Sequence, residues 1–183
     1  QLETNGYNLL ITQDLEKAKG YIKSRYKDAP ESRYGIVTSS RDKELKNHGI
    51  PKGFKSPWEA GPGKFGKWYS DPNNSPGSCT ELEVVVTEFG AQGLELDFSL
   101  LAWGTDLVWQ GEGWSNDFAS GYRDAGRIRN PLQLRINAYR VLLTRGRDGC
   151  VVFVPQIEDR TNDTYRYLLN CGFRDFNDLG AIN

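Results

Sequence analysis

Apolar positions along this chain follow two rhythms. Five short stretches, Tyr7–Thr12, Tyr34–Thr38, Leu82–Thr87, Phe98–Trp103 and Cys150–Pro155, are nearly continuous apolar runs rich in β-branched residues. Runs of that length and kind suit strands buried on both faces, as in a parallel sheet. Between them, apolar residues return at helical spacing. Leu15, Ala18, Tyr21 and Ile22 define a helix over about Leu15–Tyr26, with Asp14 placed to cap it. Pro131–Thr144 offers Leu132, Leu134, Ile136, Tyr139, Leu142 and Leu143 to a core, and Pro131 suits a first helical turn. A last helix is predicted over Glu158–Asn170, ended near Gly172. After Tyr34–Thr38 the polar string Ser39-Ser40-Arg41-Asp42 leads into a short helix reaching about Asn47. Asp106–Trp109 and Trp114, separated by Gln-Gly-Glu-Gly, predict a hairpin or long loop within about 104–129. Strands alternating with helices predict a single α/β domain with a mostly parallel sheet.

One segment breaks the alternation. From Gly49 to Ser78 the chain becomes rich in proline, glycine and serine, with Trp58, Phe65, Trp68 and Tyr69 interleaved; Pro51, Pro57, Pro62, Pro72 and Pro76 fall here. This composition predicts an ordered-loop insertion over about 49–80, because the aromatics need a surface to pack on.

Composition narrows the classes. The chain has 183 residues, enough for one α/β domain and short for two. With 38% hydrophobic and 26% charged residues it reads as globular. A formal net charge of −1 excludes a protein that coats nucleic acid by bulk charge, but leaves room for a local basic groove. Three cysteines at wide spacings and a single histidine, His48, exclude a zinc-site pattern and fit reduced thiols, so a cytoplasmic setting is expected. No apolar run approaches the roughly 18 residues that span a bilayer, so no membrane partner is expected.

Chemistry concentrates in two stretches. The run Leu82–Asp97, LEVVVTEFGAQGLELD, is an apolar strand that breaks into a glycine-containing loop and ends in two acids, Glu95 and Asp97. About 45 residues later, Tyr139–Gly149 reads YRVLLTRGRDG. Glycines let backbone approach a ligand closely, and ligands of open α/β sheets gather beyond the carboxyl ends of the strands. Arginine is permanently charged and forks onto phosphate oxygens, which suits it to charge building up on a transferring phosphoryl group. A glycine turn, or a basic helix end favoured by the helix dipole, would explain either stretch taken alone.

Together, in this order, they resemble motifs V and VI of superfamily 1 helicases, usually written close to "QGLEFD" and "ALTRA". Over residues 7–170 the chain resembles the C-terminal RecA-like domain (2A) of a UvrD-like helicase. It is most similar to a bacterial family of ATPases related to Schlafen-type helicase domains. That family shares "QGLE.D", a Gly-Asp stretch and "N.YRVLLTRG..G", here Gln92–Asp97, Gly104-Thr-Asp106 and Asn137–Gly149. The long segment 49–78 departs from the pattern.

The resemblance implies a RecA-like, P-loop-NTPase-type three-layer fold, and a domain forming one wall of an ATP cleft. Arg145 then acts as the arginine finger. Gln92, Gly93, Glu95 and Arg147 lie beside the ATP phosphates or ribose. Ser39, Ser40, Arg41, Thr87, Asn137 and Arg140 face a strand of DNA or RNA. The implied partners are single-stranded nucleic acid and the N-terminal RecA-like domain of the same protein. ATP and Mg2+ belong to the intact protein, with neither held by this chain alone. For Ser39 and Ser40 an ordinary helix cap is an equal alternative.

Two near-matches are set aside. Gly61-Pro-Gly-Lys-Phe-Gly66-Lys67-Trp68 approaches GxxxxGK[ST], but Trp68 stands where the magnesium-binding hydroxyl is required. Val84-Val-Val-Thr-Glu88 resembles an apolar strand ending in an acid, yet its continuation fits motif V better. Among the tryptophans, Trp58, Trp68 and Trp114 are candidates for stacking on bases, although packing in the core is the commoner use. A second reading keeps the fold and drops the motor: a degenerate RecA-like module acting as a scaffold. The two differ in whether the whole protein carries a GxxxxGK[ST].

Overall fold

The computed structural model describes residues 7–53, 64–73, 75–121 and 128–181. Six parallel strands form one sheet: β1 (Asn8–Thr12), β2 (Tyr34–Thr38), β3 (Val85–Thr87), β4 (Leu96–Ala102), β7 (Gly146–Phe153) and β8 (Arg174–Asp175), in the spatial order β3-β2-β4-β7-β1-β8. The connecting helices are α1 (Leu15–Arg25), α2 (Lys64–Ser70), α3 (Pro131–Leu143) and α4 (Asn162–Asn170). A separate antiparallel hairpin joins β5 (Val108–Gln110) to β6 (Gly113–Ser115).

Strand register explains the layers. Ile36, Leu100, Val151 and Leu10 stand side by side across four strands, and so do their sequence neighbours Val37, Leu101, Val152 and Ile11. Successive residues of a strand point to opposite faces. The first row therefore packs under α1 with Ala18 and Ile22, and the second under Trp68 of α2, Tyr139 and Leu142 of α3 and Leu168 of α4. The result is the expected RecA-like three-layer α/β fold. Both faces of the sheet are covered, which is why its central strands read as unbroken apolar runs.

Asp14 caps α1 as expected, and Asn130, which the sequence did not single out, caps α3. Asp14 accepts from the Lys17 amide at 3.0 Å, and Asn130 from the Gln133 amide at 3.0 Å. The hairpin expected around the 104–129 region is present. It leans on α4, where Thr164 accepts the Trp109 amide at 2.8 Å and Tyr167 stacks on the Trp109 ring at 3.7 Å.

Three boundaries shift by three or more residues from expectation, each for a local reason. β3 starts at Val85 rather than Leu82, because Leu82 has φ 58° and the Val84 carbonyl accepts from the Trp68 indole N–H at 3.0 Å. β7 starts at Gly146 rather than Cys150, through a bulge opposite Leu96–Phe98. A Cβ at Gly146 would stand 2.0 Å from the Gly149 carbonyl oxygen, so only glycine fits there. α4 starts at Asn162 rather than Glu158, because Thr161 ties the preceding turn, donating to the Pro155 carbonyl at 2.6 Å and accepting the Ile157 amide at 3.1 Å.

The 49–80 segment is not loop throughout. It contains α2, and Trp68 is buried in the core rather than exposed for stacking. Lys67, the lysine of the near-P-loop, falls inside this helix instead of ahead of one; Gly61–Gly63 and Trp58 lie outside the described residues. Trp114 is half-buried and stacks on Trp103 at 5.5 Å. No helix among the described residues is long and apolar enough to cross a membrane.

Candidate functional site

The carboxyl ends of β2, β3 and β4 converge on a buried polar cluster. Arg135 projects into it from α3 and is 4% exposed. Its Nη1 donates to Ser39 Oγ at 2.6 Å, Glu88 Oε1 at 3.2 Å and Asp106 Oδ2 at 3.3 Å, and its Nη2 donates to Glu88 Oε1 at 3.2 Å. Tyr139, one turn further along the helix, donates to Asp106 Oδ1 at 2.6 Å, and Ser39 donates to Asp106 Oδ2. Glu88 also accepts from the Ser40 amide at 2.8 Å and the Ser40 hydroxyl at 2.9 Å. Burying charge is tolerable only when it is paired and hydrogen-bonded, and this cluster meets both conditions. Burial still pushes the Asp106 carboxyl above its ordinary range, against the donors Ser39 and Tyr139 and the Arg135 charge, which pull it down. Burial and the neighbouring Asp106 charge push the Tyr139 phenol well up.

Beside this cluster, between the loop after β3 and α3, opens a cleft of about 600 Å³. Among the described residues the exposed large hydrophobic side chains are Phe89, Leu134 and Val141, and all three line it. Gln92, Gly93, Asn137, Arg41 and Arg145 supply its polar edges. An apolar pocket with a few convergent polar groups is the usual form of a ligand site.

The two motif stretches meet here. Arg145 Nη1 donates to the carbonyls of Ala91 at 3.2 Å and Leu94 at 3.1 Å, and its Nε donates to the Val141 carbonyl at 3.0 Å. Three backbone acceptors on two elements thus fix the plane of the guanidinium, and Nη2 donates no bond to another described residue. Gly93 has φ +80°, a conformation that favours glycine, and this turns the loop so that it comes alongside Arg145.

Of the remaining sequence candidates, Asn137 and Arg41 edge the cleft, Ser39 and Ser40 belong to the buried cluster, and the others lie apart. Glu95 is exposed, and its carbonyl accepts the Tyr69 hydroxyl at 2.8 Å. Arg147 is exposed and pairs with Asp97 and, at 3.3 Å, with Asp148. Asn137 and Arg140 share the exposed side of α3, with Arg140 donating to Asn137 at 3.4 Å. Ser40 and Arg41 are partly exposed, whereas Ser39 and Thr87 are buried, at 4% and 1% exposure.

Sequence reasoning missed Arg135 and its partnership with Tyr139. The signal was a lone arginine four residues before a tyrosine on the apolar side of a helix. In the sequence Glu88 stands out only as an acid ending an apolar strand, and Asp106 only within a shared stretch.

Among known protein families, residues 1–156 match Schlafen group 3, DNA/RNA helicase domain. The chain belongs to this family. No curated protein and no solved structure matches it. The match reaches through β7, so every residue of the cluster and of the cleft in this Schlafen group 3 domain lies within the family span. A helicase-related, nucleotide-binding module is the function that membership supports.

Proposed function

We propose that this domain is the second motor domain of an ATP-dependent helicase or translocase, of the superfamily 1, UvrD-like kind, acting on single-stranded DNA or RNA. ATP would lie against the cleft of Phe89, Gln92 and Arg145, and an N-terminal RecA-like domain would close the opposite side. The observation that carries this reading is the posture of Arg145. Three carbonyls orient its guanidinium at the mouth of an apolar cleft, while Nη2 keeps its donors. A cation fixed in advance stabilises charge developing on a γ-phosphoryl group without reorganising during the reaction.

In this reading Gln92 and the glycine turn at Gly93 border the phosphates, and Glu95 the ribose. Arg147, already paired with Asp97 and Asp148, has the lesser part. Mg2+ is assigned in this reading to the opposite wall. Arg41, Arg140 and Asn137 are offered to the nucleic acid.

The test is ATP hydrolysis by the full-length protein with single-stranded DNA or RNA present. Arg145→Ala should lower kcat by at least about a thousandfold, the usual scale for a finger arginine, while ATP binding changes little. Turnover unchanged in that variant refutes the finger role. The 183-residue chain contains no GxxxxGK[ST], and on its own it should show no turnover.

A further inference from the structure

A second, smaller pocket lies at the carboxyl ends of β2 and β3, across Ser39 and Ser40 from the apolar cleft. Its volume is about 230 Å³, below the roughly 300–1,000 Å³ of sites that engulf a small molecule. Its floor is the paired strand ends Thr38 and Thr87, and Gly53 closes over them so tightly that a Cβ there would stand 3.0 Å from Thr87 Cγ2 and 3.3 Å from Thr38 Cγ2. The segment between β2 and Gly53 brings Lys43, Lys46 and Lys52 to the rim, all exposed.

The other polar groups of the pocket are already committed. Thr38 donates to the Ala102 carbonyl at 3.1 Å, Ser39 donates to Asp106, and Ser40 donates to Glu88. Asp42, the acid in the lining, accepts the Glu44 and Leu45 amides on one oxygen and the Thr105 amide and hydroxyl on the other. The three ammonium groups, by contrast, form no ion pair with a described residue. Three positive charges against one therefore face a shallow basin with hydrogen-bond donors to give.

We propose that this pocket seats a backbone phosphate of a nucleic-acid strand, clamped by Lys43, Lys46 and Lys52. Here the lysines of the connecting segment, rather than the hydroxyls of Ser39, Ser40 and Thr87, meet the polymer. A lysine ammonium is a compact charge suited to a phosphodiester without reading its base. The pocket shares no lining residue with the Arg145 cleft. The choice of polymer rests on the proposed motor function; the anion site rests on the pocket itself.

The experiment measures fluorescence anisotropy of a labelled mixed-sequence single-stranded oligonucleotide, with the 183-residue chain titrated at several KCl concentrations. Lys43→Gln/Lys46→Gln/Lys52→Gln is compared with Lys19→Gln/Lys23→Gln/Lys27→Gln. The second variant removes the same charge from or near α1, where each lysine has an acidic neighbour. The pocket variant should bind about tenfold or more weakly, and its slope of log K against log salt should fall by roughly 0.7, the value for one lost single-strand phosphate contact. The α1 variant should stay within about twofold of wild type. Equal losses in both variants, or none in the pocket variant, overturn the proposal. If the wild type binds and only Arg41→Ala or Arg140→Ala weakens it, the pocket fails while the motor reading stands. If the wild type binds no oligonucleotide, both fail. A parallel titration of the full-length protein with a fluorescent ATP analogue must be unaffected by the pocket variant; weakened nucleotide binding would give the pocket to nucleotide phosphates and overturn the assignment.

Discussion

Replacing Arg135 by methionine tests the buried cluster most directly. Methionine keeps much of the arginine stem and removes the charge, leaving Glu88 and Asp106 at 8% and 0% exposure without their cation. The four Arg135 hydrogen bonds disappear together. Ser39, Ser40 and Tyr139 still donate to the two carboxylates, so desolvation is only partly uncompensated. Breaking a buried pair from one side costs about 3–5 kcal/mol. With a urea m-value of about 2 kcal/mol/M for a chain of this size, the midpoint should fall by roughly 1.5–2.5 M. Five tryptophans make fluorescence a suitable probe of unfolding. Adding Asp106→Asn should recover part of the loss, because the orphaned charge is removed; a double-mutant cycle between Arg135 and Asp106 then gives a coupling above about 1 kcal/mol. A single-variant cost below about 1 kcal/mol, or an Asp106→Asn change that deepens the loss additively, would refute the electrostatic account.

Two further outcomes follow from packing and titration. Trp68→Ala empties a core site that is 1% exposed and orphans the Val84 carbonyl, so it should cost about 3–5 kcal/mol by the same urea assay. Burial, the first cause in each case, raises the Tyr7 and Tyr26 phenols to about 12 from an ordinary 10. The folded state therefore holds these protons longer than the unfolded chain does. The stability they contribute is complete below pH 10 and is lost as pH rises from 10 to 12. Wild type should weaken over that window in urea unfolding, and Tyr7→Phe/Tyr26→Phe should weaken less steeply; identical slopes would contradict the burial effect.

The sheet was largely legible in the sequence because each central strand is buried on both faces and carries its own apolar signal. Ile36-Val37 and Leu100-Leu101 announced themselves without knowledge of their partners. Helix starts at Asp14 and Pro131 were legible for a similar reason, since a helix's first turn is a local event. What escaped depended on contacts distant in sequence. Arg135 looks like a surface charge until β3 and β4 bring Glu88 and Asp106 to it from 47 and 29 residues away. Trp68 looked like a loop aromatic until Val84 offered its carbonyl. The meeting of Arg145 with the Ala91–Leu94 loop was implied by family resemblance. The residues alone would have allowed a solvated helix end.

The sheet tapers. Its inner strands β4 and β7 run seven and eight residues, while the outermost, β3 and β8, run three and two. Open backbone donors and acceptors along a rim invite another chain to add a strand, and so short a rim offers little purchase for one. In the motor proposed above, the domain would dock against a neighbour and separate from it at every turnover. Its contacts should therefore be reversible side-chain faces and not a shared ladder that would lock two sheets into one.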